Sequence, residues 1–234
     1  FLKYPISAVL LIDLSDNEVF DIFARLNTYS VKLNNQELLN SQFFGVYKQL
    51  VYRLAQEYRS FWIDSGILSE KNISRMEDAK LVSDLLAVIV KNKIESNSFE
   101  QSKKIYAQYD DEFEDSKIIE KQFKYTLDLF CKIYEENFSE TSFSKLPLFY
   151  STFLALYHMN YQISIFELQG INITEKDLPK IKTALDDIDV IVSEPEGLRK
   201  EDFVLTLKKN TTTPDVRIRR CKYIIQKLVN SLRV

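Results

Sequence analysis

Glycine and proline are scarce, at four and five residues in a chain of 234. So few turn formers exclude an all-β fold built on many tight turns. Histidine occurs once, as His158. That excludes a histidine-rich metal site and a self-contained HNH nuclease centre, whose chemistry needs more than one. The two cysteines, Cys131 and Cys221, offer no zinc spacing and fit a reducing cytosol. No apolar run reaches the roughly eighteen residues of a membrane helix. The longest candidate, Leu81 to Val90, is interrupted by Ser83 and Asp84. No signal-peptide pattern is present, and the start at Phe1, inside an apolar run, reads as an internal start. These absences predict a cytoplasmic chain with no membrane partner.

Aromatic residues, by contrast, are abundant. Thirteen Tyr and sixteen Phe within a 45% hydrophobic composition predict a sizeable core of aromatic-rich helix packing, Trp62 included. The net charge of −3 is uneven. Residues 199–234 carry ten Lys/Arg against three Asp/Glu, while residues 1–198 carry 21 against 31. The C-terminal tip could therefore meet nucleic acid that the acidic body would repel.

Periodicity predicts a mainly α chain, a multi-helix bundle with one N-terminal strand. The strand is Pro5 to Leu14, nearly continuous in apolar residues and so expected to be buried on both faces. Ser15 with Glu18 forms a capping box, and Val19, Phe20, Ile22, Phe23 and Leu26 follow at helical spacing. Asn34 with Glu37 opens a second helix over 35–43, ended near Gly45. Further helices are expected over 46–63, from Asn72 or Ser74 to Lys93, over 98–108, and to about Phe138 after an acidic cluster at Asp110–Asp115. That cluster lacks the glycine of a calcium loop and reads as favourable charge at a helix N-terminus. Pro147 starts a helix apolar on nearly all sides, the expected central core helix. His158 ends it, and a helix-terminal histidine satisfied by a backbone carbonyl is favoured over a catalytic one. Thr174 and Asp177 cap a helix to Val192. Residues 199–209 look helical, and the last helix runs from Pro214 to about Leu232. Its apolar stripe is read as Val216, Cys221, Ile224, Ile225 and Leu228. Arg217, Arg219, Arg220 and Lys222 are assigned to the opposite side as a possible DNA-binding face.

The connection from Arg25 to Leu38 carries the chemistry. A short polar link between helices exposes backbone N–H groups at the second helix's start, which attract anions. Arg25, Asn27, Thr28 and Lys32 surround that point and make a phosphate-facing corner, or an ordinary solvated turn. Arg75 and Asp78 either pair on their own helix or bring Arg75 to face this corner.

The run Glu18-Val-Phe-Asp-Ile-Phe-Ala-Arg-Leu-Asn-Thr, continuing through Val31-Lys-Leu to Glu37-Leu38, resembles the hallmark of the GmrS-like family. These are ParB-like domains of bacterial anti-phage defence proteins. Ser74-Arg-Met-Glu-Asp-Ala-Lys-Leu-Val82 resembles the family's Arg-Met-x-Asp helix. Asn210-Thr-Thr-Thr-Pro with Arg217-Ile-Arg-Arg220 is similar to its final helix. Tyr29-Ser30 stands where a glycine is usual, and the family's Asp-Gly-Gln-Gln-Arg motif is absent. The resemblance implies residues 1–45 as the remnant of an incomplete ParB-like α/β nucleotide-binding domain and 46–234 as an α-helical domain. It implies nucleoside triphosphate with Mg held by Asn27, Arg25, Thr28, Lys32 and Glu37, with Arg75 and Asp78 behind them. The family's missing motif would lie upstream, so this chain alone should bind nucleotide poorly or not at all. The implied activity is control of restriction of foreign or modified DNA, with a nuclease subunit or domain as partner and possible homo-oligomers. A non-enzymatic helical scaffold and a DNA-binding module are the alternatives.

Overall fold

Side chains placed one turn apart decide where several helices begin. In the computed structural model, which describes residues 10, 12, 14–28, 32–96, 98–134, 137–193 and 202–233, the Ser15 backbone N–H and hydroxyl both donate to Glu18, at 2.9 and 2.8 Å. They open α1 (Asp16–Thr28). The full capping box forms at Asn34, whose Oδ1 accepts from the Glu37 N–H at 2.9 Å while Glu37 accepts from the Asn34 N–H at 2.7 Å. It opens α2 (Asn35–Gln42). Gly45 then starts α3 (Val46–Glu57). Its N–H donates to Asp110 Oδ1 at 2.7 Å, and a Cβ there would lie 1.8 Å from the Asp110 carbonyl oxygen. Only glycine permits this approach, and one carboxylate of the acidic cluster is thereby used inside the fold.

The helix expected over 46–63 breaks at Tyr58 into α3 and α4 (Arg59–Asp64). The helix expected from Asn72 or Ser74 begins later, at Glu77, behind a separate turn. Ser69 caps the single turn α5 (Glu70–Ile73), Met76 turns left-handed at φ 59°, and α6 (Glu77–Lys91) follows. Asn92, at φ 57°, ends α6 with a second left-handed residue. Ser98 caps α7 (Phe99–Gln108), and α8 (Ser116–Ile133) follows the acidic loop. Beyond two 3-10 turns comes α9 (Leu146–Tyr161), with Pro147 in its first turn as expected. Thr174 and Asp177 cap a 3-10 turn leading into α10 (Leu178–Ser193). The described part of 199–209 holds the short α11 (Asp202–Leu205), and α12 (Pro214–Arg233) closes the chain.

The protein is mainly helical, and no strand occurs among the described residues. Most of the strand expected over 5–14 lies outside them. Leu10 and Ile12, expected to be buried, are 82% and 67% exposed.

Every residue of α9 from Leu148 to Met159 is buried, as its uniformly apolar sequence requires. Around it, α12 and α8 pack directly, α10 closes over α12 and α8, and α3 bridges α6 and α8. Trp62 is fully buried, its Nε1–H donating to the Ala55 carbonyl at 3.0 Å. Its ring meets Phe61 and Phe149 edge-on at 5.2 and 5.8 Å, part of a cluster that includes Phe130 and Phe138. Such pairs add about 0.5–1.5 kcal/mol each beyond area burial. Leu39 of α2 belongs to this same core, and Gln36 donates to Tyr106 Oη at 2.8 Å.

Candidate functional site

The capped start of α2 meets the α5–α6 junction, and the contact is made by Arg75. The left-handed turn at Met76 carries Arg75 away from α6, so it makes no i,i+3 pair with Asp78 on a shared helix. Its carbonyl accepts from Asn34 Nδ2 at 2.7 Å. Its Nη2 lies 3.1 Å from Glu37 Oε2 and donates to the Lys32 carbonyl at 3.0 Å. One guanidinium thus binds two points on a segment some forty residues earlier. About a third of the Arg75 side chain remains exposed, against a tenth of Glu37. Arg25, in the last turn of α1, and Lys32 are both exposed. The side chains of Asn27 and Thr28 lie outside the described part of the chain, as do residues 29–31. Asp78 is buried at the start of α6. Burial pushes its carboxyl pKa up, and hydrogen bonds from its own and the Ala79 N–H oppose that.

Where α2 starts, Arg75 and the exposed Lys32 supply positive charge and Glu37 negative charge. That carboxylate already accepts from the α2 cap and pairs with Arg75, so it is poorly suited to ligate a metal as well. Among the described residues no group of three His, Cys, Asp or Glu could hold a metal ion.

On α1, Val19, Phe20 and Phe23 are 43%, 39% and 40% exposed. An apolar stripe of that kind is suited to burial against another surface.

At the other end of the chain the expected basic face does not form. Arg220 is fully buried. Its Nε donates to Ser151 Oγ at 2.7 Å, Nη1 to the Thr206 carbonyl at 2.8 Å and Nη2 to the Thr211 carbonyl at 2.9 Å. Arg217 is 6% exposed and forks onto Asp84 at 3.1 and 2.8 Å. It also donates to Tyr150 Oη at 3.1 Å and sits 4.1 Å from the centre of that ring. Both arginines are internal fasteners of α12 and are not presented to phosphates. Lys222 pairs with Glu167 at 2.9 Å, and Arg219 is exposed. A signal for this was present in the sequence. Arg217 stands four residues before Cys221, and Arg220 four before Ile224, so both lie on the apolar stripe itself.

His158 is buried, with Nδ1 accepting from the Ile163 N–H and Nε2 against the Leu168 carbonyl, each at 2.8 Å. The first contact fixes the proton on Nε2, which donates to Leu168. The ring is structural, as its helix-terminal position suggested.

No protein-family model, no curated protein and no solved structure matches the chain.

Proposed function

We infer that this chain is the helical portion of a GmrS-like, ParB-type protein. In that reading it binds nucleoside triphosphate with Mg at the corner between α1, α2 and the α5–α6 junction, and thereby regulates restriction of foreign or modified DNA. One observation supports the reading above the others. The two segments that most resemble the family, Glu18–Leu38 and Ser74–Val82, lie far apart in sequence yet meet through Asn34, Glu37 and Arg75. Arg25, Lys32 and Arg75 would neutralise phosphate charge, Asn27 and Thr28 would orient it, and Glu37 would hold Arg75 in place. Triphosphate chemistry is largely such positioning and charge neutralisation. The exposed apolar stripe of α1 would carry the ParB-like half. Mg would arrive with the triphosphate, since the corner's carboxylate is committed. Cutting would belong to a nuclease subunit or domain.

A second reading, a non-enzymatic helical scaffold, is favoured by the same carboxylate. Glu37 occupies the place at the α2 N-terminus that a phosphate would take, which makes the corner a joint.

Calorimetric titration of the longest natural form with ATP and GTP, with Mg present, separates the two. Binding lost in Asn27→Ala and weakened at least tenfold in Arg75→Ala, with melting temperature little changed, is the expected result. No binding by the wild type, or variants that only lower the melting temperature by many degrees, would overturn the nucleotide reading in favour of the scaffold.

A further inference from the structure

A pocket of about 120 Å³ opens between α6, the start of α9 and the Thr211–Thr212 loop. It is roughly the volume of four water molecules. Leu81, Leu146, Pro147 and the Tyr150 ring form an apolar wall. The polar wall is built from charges that cancel in pairs, with one left over. Lys80 pairs with Glu77 at 2.9 Å, and Arg217 pairs with Asp84 at 2.8 Å. Arg220 also lines the pocket, but its acceptors are a hydroxyl and two carbonyls, all neutral. Burial pushes its pKa down only to about 10, so it is a cation at neutral pH. A buried cation whose bonds all go to neutral groups favours a negative charge nearby. Arg220 is part of the lining of this pocket. The loop that walls it runs directly into the first turn of α12, whose dipole also favours an anion.

We propose that this pocket binds a small organic monoanion, a carboxylate carrying a short apolar body. The apolar wall takes the body, and the carboxylate faces Lys80 and the surplus charge of Arg220. Apolar enclosure with a few convergent polar groups is the usual make-up of a small-molecule site. The proposal does not rest on the nucleotide reading, because the residues of the corner are not part of the pocket.

The test is an NMR titration of the folded protein with isobutyrate and with benzoate, each run against its neutral amide and against inorganic phosphate. Saturable shifts centred on Leu81, Leu146 and Thr211–Thr212, with each acid binding at least tenfold tighter than its amide, are expected. Leu146→Glu adds a like charge at a 40% exposed position and should weaken the acids at least tenfold without unfolding the protein. Lys80→Gln should weaken them several-fold. Amides binding as tightly as acids would overturn the proposal, as would phosphate matching the acids or the absence of saturable shifts at millimolar concentration. Unchanged acid binding by Leu146→Glu would overturn the location.

Discussion

Replacing Arg220 with Met separates an internal fastener from a surface cation. The change leaves Ser151 Oγ, the Thr206 carbonyl and the Thr211 carbonyl without their donor, at a position with no solvent exposure. Each stranded acceptor costs about 1–3 kcal/mol. Met fills much of the volume and removes a buried charge, which returns about 1–4 kcal/mol. A net loss of about 3 kcal/mol follows. For a chain of this size each kcal/mol lowers the melting temperature by about 2–4 °C, so a fall of about 6–12 °C is expected. The control is the adjacent exposed cation. Arg219→Met should stay within about 0.5 kcal/mol of wild type. Urea unfolding followed by the fluorescence of Trp62, the single and fully buried tryptophan, reads both variants through a two-state fit. Arg220→Met proving no more destabilising than Arg219→Met would refute the internal assignment and return both arginines to the surface.

His158 gives a pH signature. Burial pushes its pKa below the ordinary histidine value, so the unfolded chain takes up the proton first as pH falls. The stability it contributes is complete above about pH 6.5 and is lost as pH falls from there towards the folded value. As the lone histidine it can be isolated: the urea midpoint of wild type should drop across that window relative to His158→Gln. Equal slopes would refute the buried neutral ring. Gly45→Ala tests the close approach to Asp110. The new methyl must displace the Asp110 carbonyl and with it the 2.9 Å bond from the Val46 N–H. The cost should be at least about 1–3 kcal/mol, and an unchanged midpoint in the same assay would show that the loop yields freely.

Capping and apolar period were the legible part of this chain. Asn34 with Glu37 and Thr174 with Asp177 are local devices, complete within four residues, and they form where the sequence puts them. The α9 core needs no partner to be recognised, since its sequence is apolar all round. What the sequence concealed depends on distant partners. Met76 has no intrinsic reason to turn left-handed, and the turn that divides α5 from α6 stands where Arg75 is held by Asn34, Glu37 and Lys32. Arg217 and Arg220 lie on the buried side of α12, where charge alone argues against them. Their helical register fits the apolar stripe, and half-buried Asp84, buried Ser151 and loop carbonyls accept them there. Whether Arg75 pairs with Asp78 or faces the corner stays open in the sequence, because nothing local distinguishes the two.

The shortage of glycine has a consequence for how the chain reaches this fold. Among the described residues, five with side chains, Met76, Asn92, Gln162, Glu167 and Asn210, adopt positive-φ backbone at φ 52–59°. Each conformation costs about 1–2 kcal/mol locally for an ordinary residue, less for asparagine. Four of them make a side-chain contact beyond their own turn. Tyr52 Oη donates to Met76 Sδ at 3.4 Å, the Ser164 N–H to Asn92 Oδ1 at 2.9 Å and the Gly170 N–H to Gln162 Oε1 at 3.2 Å, while Glu167 pairs with Lys222 at 2.9 Å. These reversals are therefore disfavoured in isolated segments and become stable only once their distant partners have docked. A glycine-rich version would preform its turns one by one. This chain ties turn formation to tertiary assembly, which makes folding more nearly all-or-none.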